Sequence, residues 1–177
     1  MRIIAGYLGG RTFHEPHGHK THPMSEKIRG ALFNALGDVE NLSFLDAFAG
    51  SGGLSFEAIS RGAGHVIAID TDRAAHKVLD QNIEQLKLKD KMKAIRANAA
   101  GWSSHNPDKR FDIVLLDPPY DQLQTSLLQT LISRHVKPGG LAALSFPGTE
   151  AIPDFDGAEV ASDKNYGDAQ LIFYRKL

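Results

Sequence analysis

At 177 residues the chain is sized for one domain with its own core, and a composition of 42% hydrophobic and 23% charged residues excludes a disordered polymer. It has no cysteine, which excludes disulfides and thiolate metal sites, and no apolar run near the about 18 residues that a membrane-crossing helix needs. A net charge of −1 argues against an indiscriminate polyanion binder, yet residues 1–34 carry Arg2, Arg11, Lys20, Lys27 and Arg29 against only Glu15 and Glu26. Met1 to Gly6 lacks the apolar core of a signal peptide, so the cytoplasm is the expected compartment.

In chain order, Arg2–Ala5 and Arg11–Phe13 read as short strands joined across Gly6, Gly9 and Gly10, a hairpin or clasp. A loop rich in Gly, Pro and His follows, holding His14, His17, His19 and His22 without a regular metal-ligand spacing, so no metal site is expected. Ser25 suits the cap of a helix whose Ile28, Ala31, Leu32, Ala35 and Leu36 form one apolar stripe, with Arg29 off its centre and Gly30 inside it. Beyond Ser43 strands and helices alternate. Segments 43–47, 65–69, 93–96, 111–116 and 141–146 read as strands, with helices near 53–61, 73–87 and 122–134. That alternation predicts a parallel sheet covered on both faces. Lys137-Pro-Gly-Gly140 breaks the last helix, and 158–162 with 171–175 form a closing antiparallel hairpin through Asn165–Asp168.

The chemistry concentrates in Phe111-Asp-Ile-Val-Leu-Leu-Asp-Pro-Pro-Tyr120, a strand that delivers Asp117, Pro118, Pro119 and Tyr120 on a rigid turn. Proline fixes φ and has no N–H, so the Pro118-Pro119 bend is stiff and rich in acceptors. It suits a planar aromatic amine, whose two N–H bonds go to the Asp117 carboxylate and the Pro118 carbonyl while Tyr120 stacks on the ring. A second site opens at Phe44-Leu-Asp-Ala-Phe-Ala-Gly-Ser-Gly-Gly-Leu54, a strand, a glycine turn and a helix start. Gly50 and Gly52 let a ligand approach the backbone, but Ser55 stands where a dinucleotide fold has its third glycine, and Asp46 puts a carboxylate nearby. Asp70, 20 residues beyond Gly50, can accept both hydroxyls of a ribose. Asp72 suits a helix cap, and Asn98 is either a turn residue or a reader of an adenine edge.

With these residues the chain resembles the class I S-adenosylmethionine-dependent methyltransferases. Phe48-Ala-Gly-Ser-Gly-Gly53 is similar to their methionine-end loop, Asp70 to their ribose acid, and Asp117-Pro-Pro-Tyr120 to the motif of amino-group methylators. Within that class the whole chain resembles the RsmD family through Arg2-Ile-Ile-Ala-Gly6, Gly10-Arg11, Ala31-Leu-Phe-Asn34, Leu45-Asp-Ala-Phe-Ala-Gly-Ser-Gly52, Glu57-Ala-Ile-Ser-Arg-Gly-Ala63 and Tyr174-Arg175. It departs at His22-Pro23-Met24, where the family usually has Arg-Pro-Thr, at Gly30 for Glu, and at Asp70, more often Glu.

The resemblance implies a Rossmann-like α/β fold, with a central, mostly parallel seven-stranded sheet, helices on both faces and a C-terminal antiparallel hairpin. It implies one methyltransferase domain over 1–177, with 1–24 facing RNA and 25–177 binding cofactor and catalysing. S-adenosylmethionine would be held by Asp46, Phe48, Ala49, Gly50, Ser51, Gly52, Asp70, Thr71, Asn98, Ala99 and Asp117. The implied activity is methylation of the exocyclic N2 of a guanine in 16S rRNA, by a monomer acting on RNA or the small ribosomal subunit, with Arg2, Arg11, Lys20, Lys27 and Arg29 on the RNA. A DNA adenine-N6 or cytosine-N4 methyltransferase and a catalytically idle rRNA-binding assembly factor are the competing readings. A nicotinamide oxidoreductase leaves Asp-Pro-Pro-Tyr unexplained.

Overall fold

The computed structural model describes residues 1–17 and 23–177. Five helices and seven strands follow in the order α1 (Glu26–Leu36), β1 (Ser43–Asp46), α2 (Gly53–Ser60), β2 (His65–Asp70), α3 (Arg73–Gln85), β3 (Met92–Arg96), α4 (Ala99–His105), β4 (Phe111–Leu116), α5 (Thr125–His135), β5 (Val136–Pro147), β6 (Ala158–Asn165) and β7 (Ala169–Lys176). They build one seven-stranded sheet in the order β3-β2-β1-β4-β5-β7-β6. β1 to β5 run parallel, and β7 is antiparallel to both neighbours. The expected mostly parallel sheet with a terminal antiparallel pair is the observed one.

Alternation along each strand divides the core in two. Phe44, Val66, Ala68, Ile113, Leu115, Ala143, Leu171 and Phe173 pack in one cluster with residues of α1, α2 and α3. Leu45, Ile67, Ile69, Val114, Leu116, Leu144 and Ile172 pack in the other with residues of α4 and α5. Two local expectations change. The helix α4 was not expected; it is short, and Asn98 caps it by accepting from the Gly101 N–H at 2.6 Å. β5 begins at Val136, before the Pro-Gly-Gly break, because Phe111 pairs with Val136 and Ile113 with Leu141, so the extra residues bulge.

The N-terminal segment is less regular than a hairpin. Arg2 and Thr12 make an isolated antiparallel bridge, and residues 1–13 otherwise lie along α2. Their anchor is Glu57, fully buried, whose carboxylate accepts from the Ile4 and Ala5 N–H groups at 2.9 and 3.0 Å and from Arg61 Nε at 2.9 Å. Farther along α2, Ser60 takes up the Leu8 and Tyr7 N–H groups through its Oγ and carbonyl, both at 2.9 Å. A Cβ on Gly6 would sit 1.9 Å from the Ser60 carbonyl oxygen, so only glycine allows this approach. Ile3, Leu8 and Phe13 thereby join the first core cluster.

This segment also corrects one expected RNA contact. Arg29 is 1% exposed, with Nε 3.6 Å from Glu57 and Nη2 donating to the Arg2 carbonyl. It is an internal strut and touches no solvent. Gly30 leaves ordinary van der Waals room for a Cβ, 3.7 Å from Ile4 Cδ1, so close packing does not explain it.

Because removing one member of a buried charge network strands the others, Glu57→Ala is expected to cost about 3–5 kcal/mol in urea denaturation. Hydrogen exchange at the Ile4 and Ala5 amides should then approach that of free peptide.

Candidate active site

The site forms at the C-terminal edge of the sheet, where the strand order reverses between β1 and β4. Asp46 shares a face with Phe44 and Asp70 with Val66 and Ala68; continuing the alternation Ile113, Leu115 places Asp117 there too. In register, Asp46 pairs with Ala68 on one side and Leu115 on the other. Asp70 and Asp117 therefore each stand two residues further along the strands that flank Asp46. Three carboxylates from three adjacent strands converge on one face.

Asp46 is fully buried; its Oδ2 accepts from Ser55 Oγ at 2.6 Å, and its Oδ1 has no hydrogen-bond partner among the described residues. Burial above all, with the charges of Asp117 and Asp70 adding, pushes this carboxyl up to about 7 against the help of Ser55. Asp117 is raised to about 6 by burial, with a hydrogen bond from Ser145 opposing the rise. Asp70 accepts from the Gly50 N–H at 2.8 Å and from the Asp72 N–H at 2.9 Å, so it shapes the glycine turn as well as facing it.

The turn runs Phe48 to Gly52, with the Ala49 N–H on the Ile69 carbonyl at 2.8 Å, and Gly52, at φ 90°, caps α2. A Cβ there would lie 2.5 Å from Leu79 Cδ1 and 2.7 Å from Phe56 Cε2. Ser51 Oγ contacts Met1 Sδ at 3.2 Å, so the N-terminal segment reaches this turn. Thr71 is exposed just past β2, and Asn98 and the buried Ala99 lie past β3 on the same edge. Asn98 caps α4 through Oδ1, and its Nδ2 makes no hydrogen bond among the described residues.

On the acceptor side, the Pro119 carbonyl takes the Gln122 N–H at 3.1 Å, which uses one of its two lone pairs. The Pro118 carbonyl has no such partner among the described residues. Tyr120, 39% exposed, opens a short 3-10 turn over residues Tyr120–Gln122, and its Oη lies 2.7 Å from Ser145 Oγ. Ser145, on β5 and 4% exposed, escaped sequence reasoning because one serine in an apolar strand carries no motif. The arrangement that satisfies both groups has Tyr120 donating to Ser145 and Ser145 donating to Asp117. The aromatic ring and the carboxylate are thus fixed by one hydroxyl.

The conserved hypothetical protein 95 family matches over residues 1–175. YlbH of Bacillus subtilis, which carries a provisional rRNA methyltransferase name, is 33% identical over 99% of both chains. The chain belongs to the RsmD family. Ribosomal RNA small subunit methyltransferase D of Escherichia coli is 35% identical over 68% of this chain, a stretch spanning 60% of that protein. The solved yhhF protein of Escherichia coli, provisionally named a methyltransferase, superposes with a TM-score of 0.89 at 27% identity, covering 99% of this chain and 97% of its own.

As an RsmD-family member the protein is a methyltransferase, and its methyl donor is S-adenosylmethionine. The residues present fit that donor: a buried Asp46 Oδ1 without a hydrogen-bond partner among the described residues and two further carboxylates suit a ligand that carries positive charge, and Asp70 retains lone pairs that suit ribose hydroxyls.

Two outcomes follow, one for the folding stability of the ligand-free protein and one for turnover. Asp46 and Asp117 hold protons when folded that they have lost when unfolded between about pH 4 and 7, so folding stability is fully present below that range and falls as pH rises through it. Chemical denaturation should register the fall, and Asp46→Asn should remove most of it, on the order of 4 kcal/mol for a carboxyl raised from 3.8 to about 7. In turnover, Ser145→Ala should move the acid limb of the kcat/KM profile for S-adenosylmethionine upward from about pH 6 and lower kcat roughly tenfold, the worth of one hydrogen bond to a charged group.

Proposed function

We propose that the protein transfers a methyl group from S-adenosylmethionine to the exocyclic N2 amine of a guanine in the 16S rRNA of the small ribosomal subunit. The observation that carries this reading is the pair of acceptors on the bend, the Asp117 carboxylate and the Pro118 carbonyl, which has no hydrogen-bond partner among the described residues, beside the cofactor turn. Two acceptors on a rigid bend select a group with two N–H bonds, which is a planar exocyclic amine and not a hydroxyl or a ring nitrogen.

The bound donor supplies an electrophilic methyl on a sulfonium centre. The chain's own residues position and orient. Asp117 and Pro118 accept both amine protons and so turn the nitrogen lone pair away from them, while the Tyr120 ring, pinned by Ser145, offers a face for stacking. One amine proton leaves to Asp117 or to water after transfer. Ionised Asp117 is the competent form, because a protonated carboxyl has one acceptor fewer to offer.

A base inside a helix cannot reach such a bend, so the target is unpaired or flipped out. The basic residues of the N-terminal third hold the phosphates. Arg11 and Lys27 are exposed and make no ion pair among the described residues, whereas Arg2 shares its charge with Glu26 at 2.8 Å. Lys20, with His19 and His22, lies outside the described residues. Residues 1–24 thus form the RNA-facing strip and 25–177 the cofactor-binding and catalytic part, acting in the cytoplasm. The relatives' rRNA substrate supports RNA over DNA.

The test is transfer of labelled methyl from S-adenosylmethionine to unmodified small subunits, with free 16S rRNA and duplex DNA in parallel, followed by nucleoside analysis. The expected product is N2-methylguanosine in rRNA; methyladenine or methylcytosine in DNA overturns the substrate. Asp117→Ala should lower kcat by about 10²-fold or more while RNA still binds.

A further inference from the structure

A groove of about 410 Å³ runs along the sheet between α1 and the β6–β7 hairpin, and nothing in the methyl-transfer scheme above uses it. Its floor is Leu171 and Phe173; Ala31 and Ala35 of α1 are small enough to keep it open; Tyr166 and Lys164 stand on its far side. The register fixes its place relative to the active site. Ser145 pairs directly with Leu171, and directly opposed residues of an antiparallel pair share a face, so the groove floor begins one strand away from the serine that holds Tyr120. The hairpin turn returns at the catalytic end of the sheet, since Ala169 pairs with Pro147 and takes the Tyr166 N–H on its carbonyl at 2.8 Å.

The groove carries two features that suit a nucleotide. Tyr166 is half-buried and presents an aromatic ring, with Lys164 Nζ 5.4 Å from the ring centroid. Lys164 is exposed and makes no ion pair among the described residues; it pairs with Leu171 and so shares the groove face, and Asp163, which pairs with Ile172, also lines the groove. An aromatic ring with a neighbouring free cation stacks a base and meets its phosphate. The volume is that of a small-ligand site. A target nucleotide in a single-stranded loop has unpaired neighbours, whose exposed bases gain from a stacking partner that no helix provides.

We infer that this groove receives the single-stranded RNA nucleotide adjacent to the target, its base on Tyr166 and its phosphate at Lys164; the inference rests on the reading of the substrate as RNA. Sequence selection next to the target guanine then resides in the β6–β7 hairpin and α1, and not only in the N-terminal strip.

The experiment compares wild type, Tyr166→Ala, Tyr166→Phe and Lys164→Ala in two assays, methylation of small subunits and fluorescence anisotropy with a single-stranded 16S fragment across a salt series. S-adenosylmethionine affinity by calorimetry confirms that each variant is folded. Tyr166→Ala should raise both the KM for subunits and the RNA Kd roughly tenfold at unchanged cofactor affinity, with Tyr166→Phe close to wild type. Lys164→Ala should lower the slope of log Kd against log salt by about 0.7. Wild-type turnover on subunits with a normal KM and RNA Kd in Tyr166→Ala overturns the groove and leaves the substrate reading standing. Absence of wild-type turnover with RNA binding that still depends on Tyr166 supports the groove and overturns the substrate reading. Absence of RNA binding by wild type overturns both.

Discussion

Three carboxylates forced onto one face of one sheet edge are the constraint to which the rest of the site answers. The two-residue period of β1, β2 and β4 aims Asp46, Asp70 and Asp117 the same way, and parallel register puts them within electrostatic reach. Packing α1, α2 and α3 over that face dries it, and burial of like charges without a cation is costly enough to move Asp46 to about 7 and Asp117 to about 6. Apart from its ligand the site is therefore under-compensated. A cationic donor supplies what the protein's own side chains withhold, and its binding draws on the same charge that weakens the empty fold.

The second organising group is Glu57, on the helix whose first turn belongs to the cofactor loop. By holding Ile4 and Ala5 on one side and Arg29 and Arg61 on the other, it ties the basic N-terminal segment to α1 and α2. Met1 reaches Ser51 at one end of that segment and Leu8 reaches Ser60 at the other, so the basic segment lies along the helix that opens from the glycine turn.

The sheet and its catalytic turn were legible because their signals are local. Apolar alternation marks β1, β2 and β4, the glycines mark the turn, and Asp-Pro-Pro-Tyr announces itself as a rigid polar bend after an apolar strand. What escaped depends on distant contacts. Arg29 sits at the side of its helical stripe, and only the N-terminal segment laid over it makes it internal. Ser145 acquires its role because β5 lies beside β4 and Tyr120 curls back over both. Helix α4 has seven residues, too few for a period to declare itself, although Asn98 was a capping residue in plain view. The Pro119 carbonyl is engaged by a 3-10 turn that no spacing foretold.

The measurement closest to the centre of this account is the proton balance of S-adenosylmethionine binding, obtained by calorimetry near pH 6.5 in buffers of different ionisation enthalpy. If the buried carboxylates wait for a cation, their pKa values fall when the donor binds. The calorimeter should then record net proton release that disappears above about pH 8, once both groups are already ionised. Binding with no proton release at pH 6.5, and an affinity indifferent to pH between 6 and 8, would contradict it.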